Sequence, residues 1–353
     1  MISPKTPAPA SVPRVRALAA IGVALGALLC AAGCGCGGHV GDDPDAAGGP
    51  ADAMTDAGGP AQTDAAAPPD PIRPVPGDVI PGGGPYPFVL CHGMGGFDAL
   101  GPLEYFYGVA DHLTDLGYEV YTTEVPQFDS VAARAAALAP QIDAILAASG
   151  ADKVNLIGHS QGGLDIRYLV SSLGYGSVVA SITTVGTPHY GTPVADLVMG
   201  ILPASTTEVL DALLALFGPV LGQSPEADLM AGLADLTTVN MTTAFNPANP
   251  DDPGVAYYSV GGVCTLPPFT PYTPGVDDLC DIEVQATYLF LLDAAGANDG
   301  LLPETSAHWG TYLGVIPADH LDEVGQIAGI TSLAFDHLAF YANLAAFLRM
   351  EGF

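Results

Sequence analysis

A glycine-flanked serine stands between a strand-like run and a helical pattern, and this junction constrains the fold more than any other stretch. The segment 158–163 reads GHSQGG and fits the pattern G-x-S-x-G. It follows the apolar run 153–158 and precedes helical spacing over 163–173. So sharp a turn leaves no room for side chains beside the serine, and it lifts the hydroxyl above the end of a sheet. The pattern predicts a nucleophile elbow with Ser160 at its tip.

Segments on both sides of this junction alternate between the two patterns. Strand-like runs occupy 88–91, 119–123, 153–158 and 178–185, and helical spacing occupies 103–116, 134–148 and 163–173. Strands that alternate with helices of about 10–15 residues predict a parallel sheet covered on both faces. The predicted fold class is therefore α/β, with a mostly parallel sheet and helices on both faces.

Charge and composition exclude one class of function. The chain has 353 residues, 8 Lys and Arg against 38 Asp and Glu, and a formal net charge of −30. With 49% hydrophobic residues it can bury a sizeable core, which argues against a wholly disordered chain. A surface with this much negative charge is repelled by phosphate backbones and by anionic lipid headgroups. Nucleic-acid binding is therefore excluded.

The N-terminal segment predicts export. Lys5, Arg14 and Arg16 precede an apolar run over 17–29, which is short for a membrane span, and small residues follow. We interpret 1–36 as a signal peptide, with an uncleaved anchor helix as the alternative. Cys34 follows Ala-Ala-Gly, which resembles a bacterial lipobox. The mature protein is then either freely secreted or a surface-attached lipoprotein, and peripheral membrane attachment depends on lipidation at Cys34.

A linker separates this segment from the folded domain. Residues 37–84 are rich in Pro, Gly, Ala and Asp and contain almost no large apolar side chain. Such a composition cannot compensate for the entropy lost on folding, so we predict a disordered tether. The folded domain is predicted to cover 85–353, with no internal repeat.

A serine nucleophile needs a general base, and four histidines follow Ser160 in the sequence: His189, His308, His320 and His337. His189 is close to the elbow, and His337 falls inside the amphipathic stretch 333–347. His308 remains a candidate, although it follows any plausible acid closely. His320 precedes a new helical pattern on a predicted loop, which is the position expected of a catalytic base.

The base needs an acid that orients it. Asp299 follows the strand-like run 288–292 by a few residues, and a carboxylate beyond a strand's carboxyl end is well placed for a site. By position alone, Asp293 and Asp281 remain alternatives to Asp299.

Seven blocks of sequence, taken in order, are similar to a known family. They span 86–98, 104–108, 123–130, 153–163, 184–192, 298–303 and 320–324. These blocks resemble bacterial triacylglycerol lipases of the Pseudomonas and Burkholderia type, in the α/β-hydrolase superfamily. The resemblance implies Ser160 as nucleophile, Asp299 as acid and His320 as base. It also implies an oxyanion hole formed by the backbone N–H groups of Met94 and Gln161.

The same resemblance implies a structural calcium ion beside the histidine loop. Its ligands would be the carboxylates of Asp278 and Asp322 and the backbone carbonyls of Gln326 and Ile330. Asp277 replaces Asp278 if the loop shifts by one residue. Oxygen ligands of this kind suit Ca²⁺. The alternative is that this acidic stretch is merely a solvated surface.

The resemblance also bears on the cysteines. Cys91 lies in a strand-like run and is most simply a buried apolar side chain. Export permits a disulfide, and the family carries one in a region comparable to that of Cys264 and Cys280. We therefore expect a Cys264–Cys280 disulfide near the Asp278 loop.

An apolar insertion bears on the substrate. Within 194–239, residues 194–200 and 209–217 place apolar side chains at helical spacing. A core helix is one interpretation. We favour a helical lid that closes over the site in water and opens at an oil surface.

These observations predict an exported serine lipase that hydrolyses triacylglycerol esters at an oil–water interface through an acyl-enzyme on Ser160. The alternatives are a lidless carboxylesterase or polyester depolymerase on the same scaffold, and a non-catalytic surface-binding lipoprotein. The resemblance adds one prospective partner, a lipase-specific foldase.

Overall fold

The computed structural model describes residues 84–96, 99–100, 103–202, 207–221 and 228–353. The predicted signal peptide and all but the last residue of the predicted linker lie outside the described residues. A central sheet organises the rest. The strands are β1 (Phe88–Cys91), β2 (Ala99–Leu100), β3 (Leu103–Glu104), β4 (Val120–Thr123), β5 (Val154–His159), β6 (Val179–Val185), β7 (Ala256–Gly262) and β8 (Thr311–Ile316).

Six of these strands form one parallel sheet in the order β4-β1-β5-β6-β7-β8. The short strands β2 and β3 pair antiparallel beside it. The first strand, β1, therefore lies next to the edge strand β4, and the direction in which strands are added reverses between β4 and β5. In open parallel sheets, ligand sites lie beyond the carboxyl ends of the strands near such a reversal.

Helices cover both faces of the sheet. The helices are α1 (Val109–Asp115), α2 (Val131–Ser149), α3 (Gln161–Ser171), α4 (Pro193–Val198), α5 (Thr207–Leu221), α6 (Leu229–Asp235), α7 (Thr238–Asn240), α8 (Asn246–Ala248), α9 (Gln285–Ala295) and α10 (His337–Met350). A π-helical turn, Met241–Phe245, joins α7 to α8, and 3₁₀ turns span Tyr175–Val178, Glu304–Ala307 and Asp322–Val324.

The alternation of side chains along β1 explains the two layers. Phe88 and Leu90 pack in a core with α1 and α10, whereas Val89 and Cys91 pack in a second core with α2 and α3. Because successive side chains of a strand point to opposite faces, a strand buried on both sides is apolar throughout. Cys91 is a free, buried thiol in the second core, as its sequence context suggests.

Several predicted boundaries shift. The helix predicted over 103–116 begins only at Val109, because Leu103–Glu104 pairs as β3. The helix predicted over 134–148 begins at Val131, where the Ser130 hydroxyl caps it by accepting the N–H of Ala133 (3.3 Å). β5 ends at His159 and Ser160 precedes the helix, so α3 starts at Gln161 and not at Gly163.

One predicted element is wrong. The run 288–292 was expected to be strand-like, but it lies inside helix α9. A five-residue apolar run fits a buried strand or a buried helix equally well, so its periodicity alone does not decide. The sequence pattern also missed β7 and β8, whose tyrosines, glycines and polar residues interrupt the apolar signal.

Among the described residues, one helix, α2, is long and apolar enough by length and composition to cross a membrane. In the fold, its residues Leu138, Ile142 and Ile145 pack in the core beneath the sheet.

Candidate active site

Ser160 occupies a strained turn between β5 and α3. Its φ and ψ are 55° and −131°. Residues other than glycine rarely adopt such a positive φ. Gly162 permits the turn, because a Cβ there would collide with the carbonyl oxygen of Cys91. The geometry is that expected for a nucleophile elbow, and it places the serine at the N-terminus of α3.

The structure brings His320 and Asp299 together across 21 residues of sequence. His320 Nδ1 lies 2.8 Å from Asp299 Oδ2, and both side chains are buried. The other carboxylate oxygen, Oδ1, accepts the N–H groups of Leu301 and Leu302, both at 2.8 Å. Asp299 is thus held on both sides, and it fixes the orientation of the imidazole.

The other candidate histidines have different partners. His189 accepts a hydrogen bond from Arg167 Nη1 at Nδ1 (3.1 Å). His308 donates to Glu304 (2.7 Å), and His337 donates to the carbonyl of Tyr107 (2.9 Å). Of the four, only His320 shares a cavity with Ser160 among the described residues.

The candidate acids separate equally clearly. Asp293 is exposed on α9, and Asp281 joins the acidic loop described below. Asp299 reaches the site from a turn closed by an Asn298–Pro303 bridge after α9. The prediction that a strand precedes Asp299 is therefore wrong, because helix α9 precedes it. Asp299 nevertheless lies beside His320.

Ser160 and His320 face an apolar cavity. Its walls include Leu213 and Phe217 of α5 and Leu233 of α6. Phe217 also meets Phe128 edge to face, with ring centroids 5.8 Å apart, and α5 forms one wall of the cavity that contains the serine. A cavity lined in this way accommodates a hydrocarbon chain better than a polar substrate.

Two backbone donors flank the serine. Gln161 is the first residue of α3, and Met94 lies in the loop that follows β1. Within the described part of the chain, neither N–H donates a backbone hydrogen bond. Among the described residues, Met94 and Ser160 together line two cavities. Both groups are therefore available to a ligand oxygen beside the serine.

A buried polar network that sequence reasoning missed lies behind His320. His159 Nε2 is 2.8 Å from Glu323 Oε2, and His159 Nδ1 is 2.7 Å from the Tyr105 hydroxyl. Glu323 Oε2 also lies 3.8 Å from His320 Nδ1. Burial raises the pKa of Glu323 well above its ordinary value and lowers the pKa of His159 well below its own, because burial penalises the charged form of each group. The only local signal for Glu323 is its position three residues after His320.

A second cluster gathers three buried carboxylates. Oxygens of Asp278, Asp319 and Asp322 lie within 4.8 Å of one another. Burial and mutual repulsion raise the pKa of Asp278 to about 7 and that of Asp322 to about 8. Asp278 belongs to this cluster, whereas the alternative Asp277 accepts the N–H of Thr273 (2.7 Å) outside it.

The loops around the cluster are tied to it. Asp319, for which the sequence carries no separate signal, accepts the N–H groups of Asp281, Leu321 and Asp322 (2.7–3.0 Å). Asp322 accepts the N–H of Ser332 (2.9 Å). Gln326 and Ile330 lie on the segment between these two residues, and their role as carbonyl ligands stays a prediction. Cys264 and Cys280 form a disulfide in this region, two residues from Asp278.

Comparison with known proteins defines the class. The family model of the alpha/beta hydrolase fold matches residues 86–242. The structure of Staphylococcus hyicus lipase superposes with a TM-score of 0.56 at 21% identity, covering 77% of this chain and 97% of that one. This likeness supports the fold. The chain therefore has the α/β-hydrolase fold; the strand and helix pattern predicted its α/β class, and the resemblance implied the hydrolase fold.

Curated sequences narrow the class further. The triacylglycerol lipase of Vibrio cholerae is 35% identical over 291 residues, which are 76% of this chain and 88% of that protein. That of Burkholderia plantarii is 31% identical over 312 residues, with coverages of 76% and 87%. The chain belongs to this family of bacterial triacylglycerol lipases, which confirms the resemblance described above. It is a carboxylic ester hydrolase, and its chemistry is lipase ester hydrolysis.

Proposed function

We propose that the protein is an exported serine lipase that cleaves triacylglycerols through an acyl-enzyme on Ser160. The observation that carries this proposal is the strained Ser160 turn, which faces one apolar cavity together with the Asp299-bound imidazole of His320. A nucleophile, an oriented base and a hydrocarbon-lined cavity are what hydrolysis of a long-chain ester requires.

Acylation follows from the orientation of His320. Because Asp299 accepts the Nδ1–H of His320, the Nε2 atom of this cavity-lining residue is left as the proton acceptor. Nε2 takes the proton of Ser160 as Oγ bonds to the ester carbonyl carbon. The tetrahedral intermediate collapses when the C–O bond to the glycerol oxygen breaks, and Nε2 returns the proton to that oxygen. The fatty acid remains esterified to Ser160.

Deacylation repeats these steps with water. His320 takes a proton from water, whose oxygen attacks the acyl carbonyl, and the fatty acid leaves as Ser160 recovers its proton. In both steps, negative charge develops on the carbonyl oxygen. We assign the N–H groups of Met94 and Gln161 to that oxygen. Within the described residues neither donates a backbone hydrogen bond, and Gln161 begins a helix. Loss of one such donor typically costs about 10²–10³ in kcat.

We propose that residues 194–239 form the lid. Leu213 and Phe217 cover Ser160 from one side of α5, while Leu214 on the same helix is 61% exposed. The helix thus presents apolar side chains toward the site and, at Leu210 and Leu214, also toward solvent. Exposed apolar surface of this kind is costly in water and is compensated when α5 meets an oil phase.

The acidic cluster fits the predicted calcium ion. Asp278 Oδ1 is buried without a hydrogen-bond partner, and three carboxylates that repel one another surround one point. Both oxygens of Asp319 accept backbone N–H groups, which leaves Asp278 and Asp322 as the carboxylate ligands. A bound Ca²⁺ would neutralise this charge and join the Asp278 loop to the loop that carries His320. Its contribution is structural.

Export and its partners complete the proposal. The 1–36 signal peptide would direct the chain across a membrane, and Cys34 would hold it at a surface if it is lipidated. The Cys264–Cys280 disulfide suits such an oxidising compartment. A lipase-specific foldase remains the expected folding partner.

The decisive assay compares wild type and Ser160→Ala on a long-chain triglyceride emulsion and on a soluble short-chain ester. The proposal predicts that the variant loses both activities and that wild type prefers the emulsion, with a rate that rises as droplets form. Activity confined to the soluble ester would retain the serine chemistry and discard the lid, leaving a carboxylesterase. Unchanged hydrolysis by Ser160→Ala would reject the serine mechanism and revive a non-catalytic role for the site.

A further inference from the structure

Arg134 is a completely buried arginine that reaches the loop carrying Met94. It lies in the first turn of α2, and its Nη2 donates to the carbonyls of His92 (2.7 Å) and Gly93 (3.2 Å). These two residues directly precede Met94. Arg134 Nη2 thus holds the two residues that lead into Met94, in the loop that carries this oxyanion donor.

The same guanidinium holds the neighbouring loop. Nη1 donates to the carbonyl of Pro126 and, at 3.4 Å, to that of Gln127. The Gln127 carbonyl in turn accepts the N–H of Gly95 (2.7 Å), the residue after Met94. Contacts from Arg134 therefore lead to both sides of Met94.

Asp165 connects this assembly to the nucleophile helix. Its Oδ2 accepts Arg134 Nε (2.8 Å), and its Oδ1 is buried without a partner. Asp165 lies four residues after Gln161 on α3, which is about one helical turn. The ion pair therefore spans from the helix that holds one oxyanion donor to the loop that holds the other.

Stability alone is a poor reason for such a pair. Removing two charges from water is costly, and apolar residues of similar volume are often as stable or more so. Burial raises the pKa of Asp165 to about 7 even beside the arginine, which is the direction expected when a carboxylate is removed from water. The planar fork of Arg134, with three nitrogens aimed at fixed acceptors, is suited to setting geometry.

We propose that Arg134 and Asp165 are positioning residues that fix the separation between the N–H groups of Met94 and Gln161 for the transition state. The proposal rests on the serine mechanism given above. Neither side chain touches the substrate. Their effect is exerted on the carbonyl oxygen only when it becomes an oxyanion, so they act on kcat and leave ground-state binding unchanged.

The test uses Arg134→Lys, which keeps the buried charge beside Asp165 but loses the fork, and Asp165→Asn, which keeps the shape. On a soluble ester, kcat is expected to fall about tenfold or more with KM changed less than about threefold. Affinity for an alkyl boronic acid, which forms a tetrahedral adduct with a serine, should fall in the same proportion. A merely structural role would move melting temperature without this split.

Arg349→Gln is the matched control. Arg349 also donates to a backbone carbonyl, that of Tyr86 (2.9 Å). Tyr86 lies just before β1, at the end of the strands opposite to Ser160. Its kcat and boronic acid affinity should equal those of wild type.

Folded variants of Arg134 and Asp165 with wild-type kcat and boronic acid affinity would overturn the proposal. If Arg134→Lys does not fold, the isosteric Asp165→Asn decides by the same two readouts. Failure of the serine mechanism itself is recognised separately, because Ser160→Ala would then remain active and wild type would not bind the boronic acid.

Discussion

Asp299 divides its two carboxylate oxygens between two tasks. Oδ1 accepts backbone N–H groups of the Leu301–Leu302 turn, and Oδ2 lies against His320 Nδ1. The first contact fixes the carboxylate and the second fixes the tautomer of the imidazole. At the residue scale, the chemistry of the site therefore depends on which nitrogen of the His320 imidazole carries the proton.

Replacing Asp299 with asparagine tests this dependence. The asparagine oxygen would take over the contacts with Leu301 and Leu302, and its NH₂ group would then donate to His320 Nδ1. Nε2 would carry the proton and could not accept one from Ser160. We expect kcat on a soluble ester to fall by about 10⁴. Asp293→Asn, a change on the exposed face of α9, is the control and should keep wild-type activity; a small loss in Asp299→Asn would contradict the assignment.

Residues with local signals were predictable, and residues that act through distant contacts were not. Ser160 sits in a motif whose glycines and flanking patterns are all within a few residues, and His320 lies in a recognisable family block. Arg134 and Asp165 are 31 residues apart and meet only in the folded chain. Nothing in either local sequence distinguishes this buried ion pair from two solvated charges.

At the scale of elements, the loop after β8 carries both His320 and Asp322. It folds back so that the N–H of Ser332 reaches Asp322 (2.9 Å), and Asp319 binds the Asp278 loop through its own N–H (2.6 Å). Two loops from β7 and β8 are thus joined by carboxylates that repel one another in the absence of a cation. We infer that the calcium ion sets the stability of the loop that bears the base.

Calcium affinity is expected to rise with pH. In the metal-free protein, the raised pKa values of Asp278 (about 7) and Asp322 (about 8) mean that calcium must displace protons near neutrality. Because these folded-state values exceed the unfolded ones, the metal-free protein should lose stability as pH rises from about 4 to 8, and calcium should restore it. Titration calorimetry at about pH 6, 7 and 8.5 should show affinity increasing more than tenfold across this range.

Two variants sharpen this measurement. Asp278→Asn should abolish high-affinity binding, whereas Asp277→Asn, outside the cluster, should bind as wild type does. An affinity independent of pH, or full activity and an unchanged melting temperature after exhaustive chelation, would contradict the calcium site.

In the proposed lid, helix α5 is the element that would meet the substrate phase. Leu214 is 61% exposed, and transfer of most of a leucine side chain from water to oil is worth about 1 kcal/mol. We therefore expect Leu214→Ser to weaken adsorption to a triglyceride emulsion about fivefold and to leave hydrolysis of a soluble ester unchanged. Leu173→Ser, an exposed leucine beyond the end of α3, is the control. Equal adsorption by wild type and Leu214→Ser would argue against the lid.

At the scale of the whole molecule, exposed apolar side chains and basic residues are both unevenly distributed. Among the described residues, most exposed large apolar side chains lie on the segments that leave β6, β7 and β8 at the carboxyl end of the sheet, the end at which Ser160 lies. Over the same part of the chain, from 168 to 348, there is no lysine or arginine. The face around the site is therefore apolar and acidic, which suits an uncharged ester phase and opposes an anionic one.

Droplet charge should consequently control the rate. Triglyceride droplets coated with anionic phospholipid should be hydrolysed several-fold more slowly than zwitterionic ones at about 10 mM salt, where charges act over about 30 Å. At about 150 mM salt the screening length falls to about 8 Å, and most of the difference should disappear. The soluble ester serves as the control, since its hydrolysis involves no surface. Equal rates on both droplets at low salt would contradict this electrostatic account.

The most direct test of the central claim is the mass of the labelled peptide after reaction with a p-nitrophenyl alkylphosphonate. An activated serine displaces p-nitrophenol and retains the phosphonyl group. We predict one stoichiometric adduct on the peptide that contains Ser160, with loss of activity in the same proportion, and no adduct in Ser160→Ala. Ester hydrolysis that persists without modification of Ser160, or an adduct on another residue that accounts for the lost activity, would contradict the assignment.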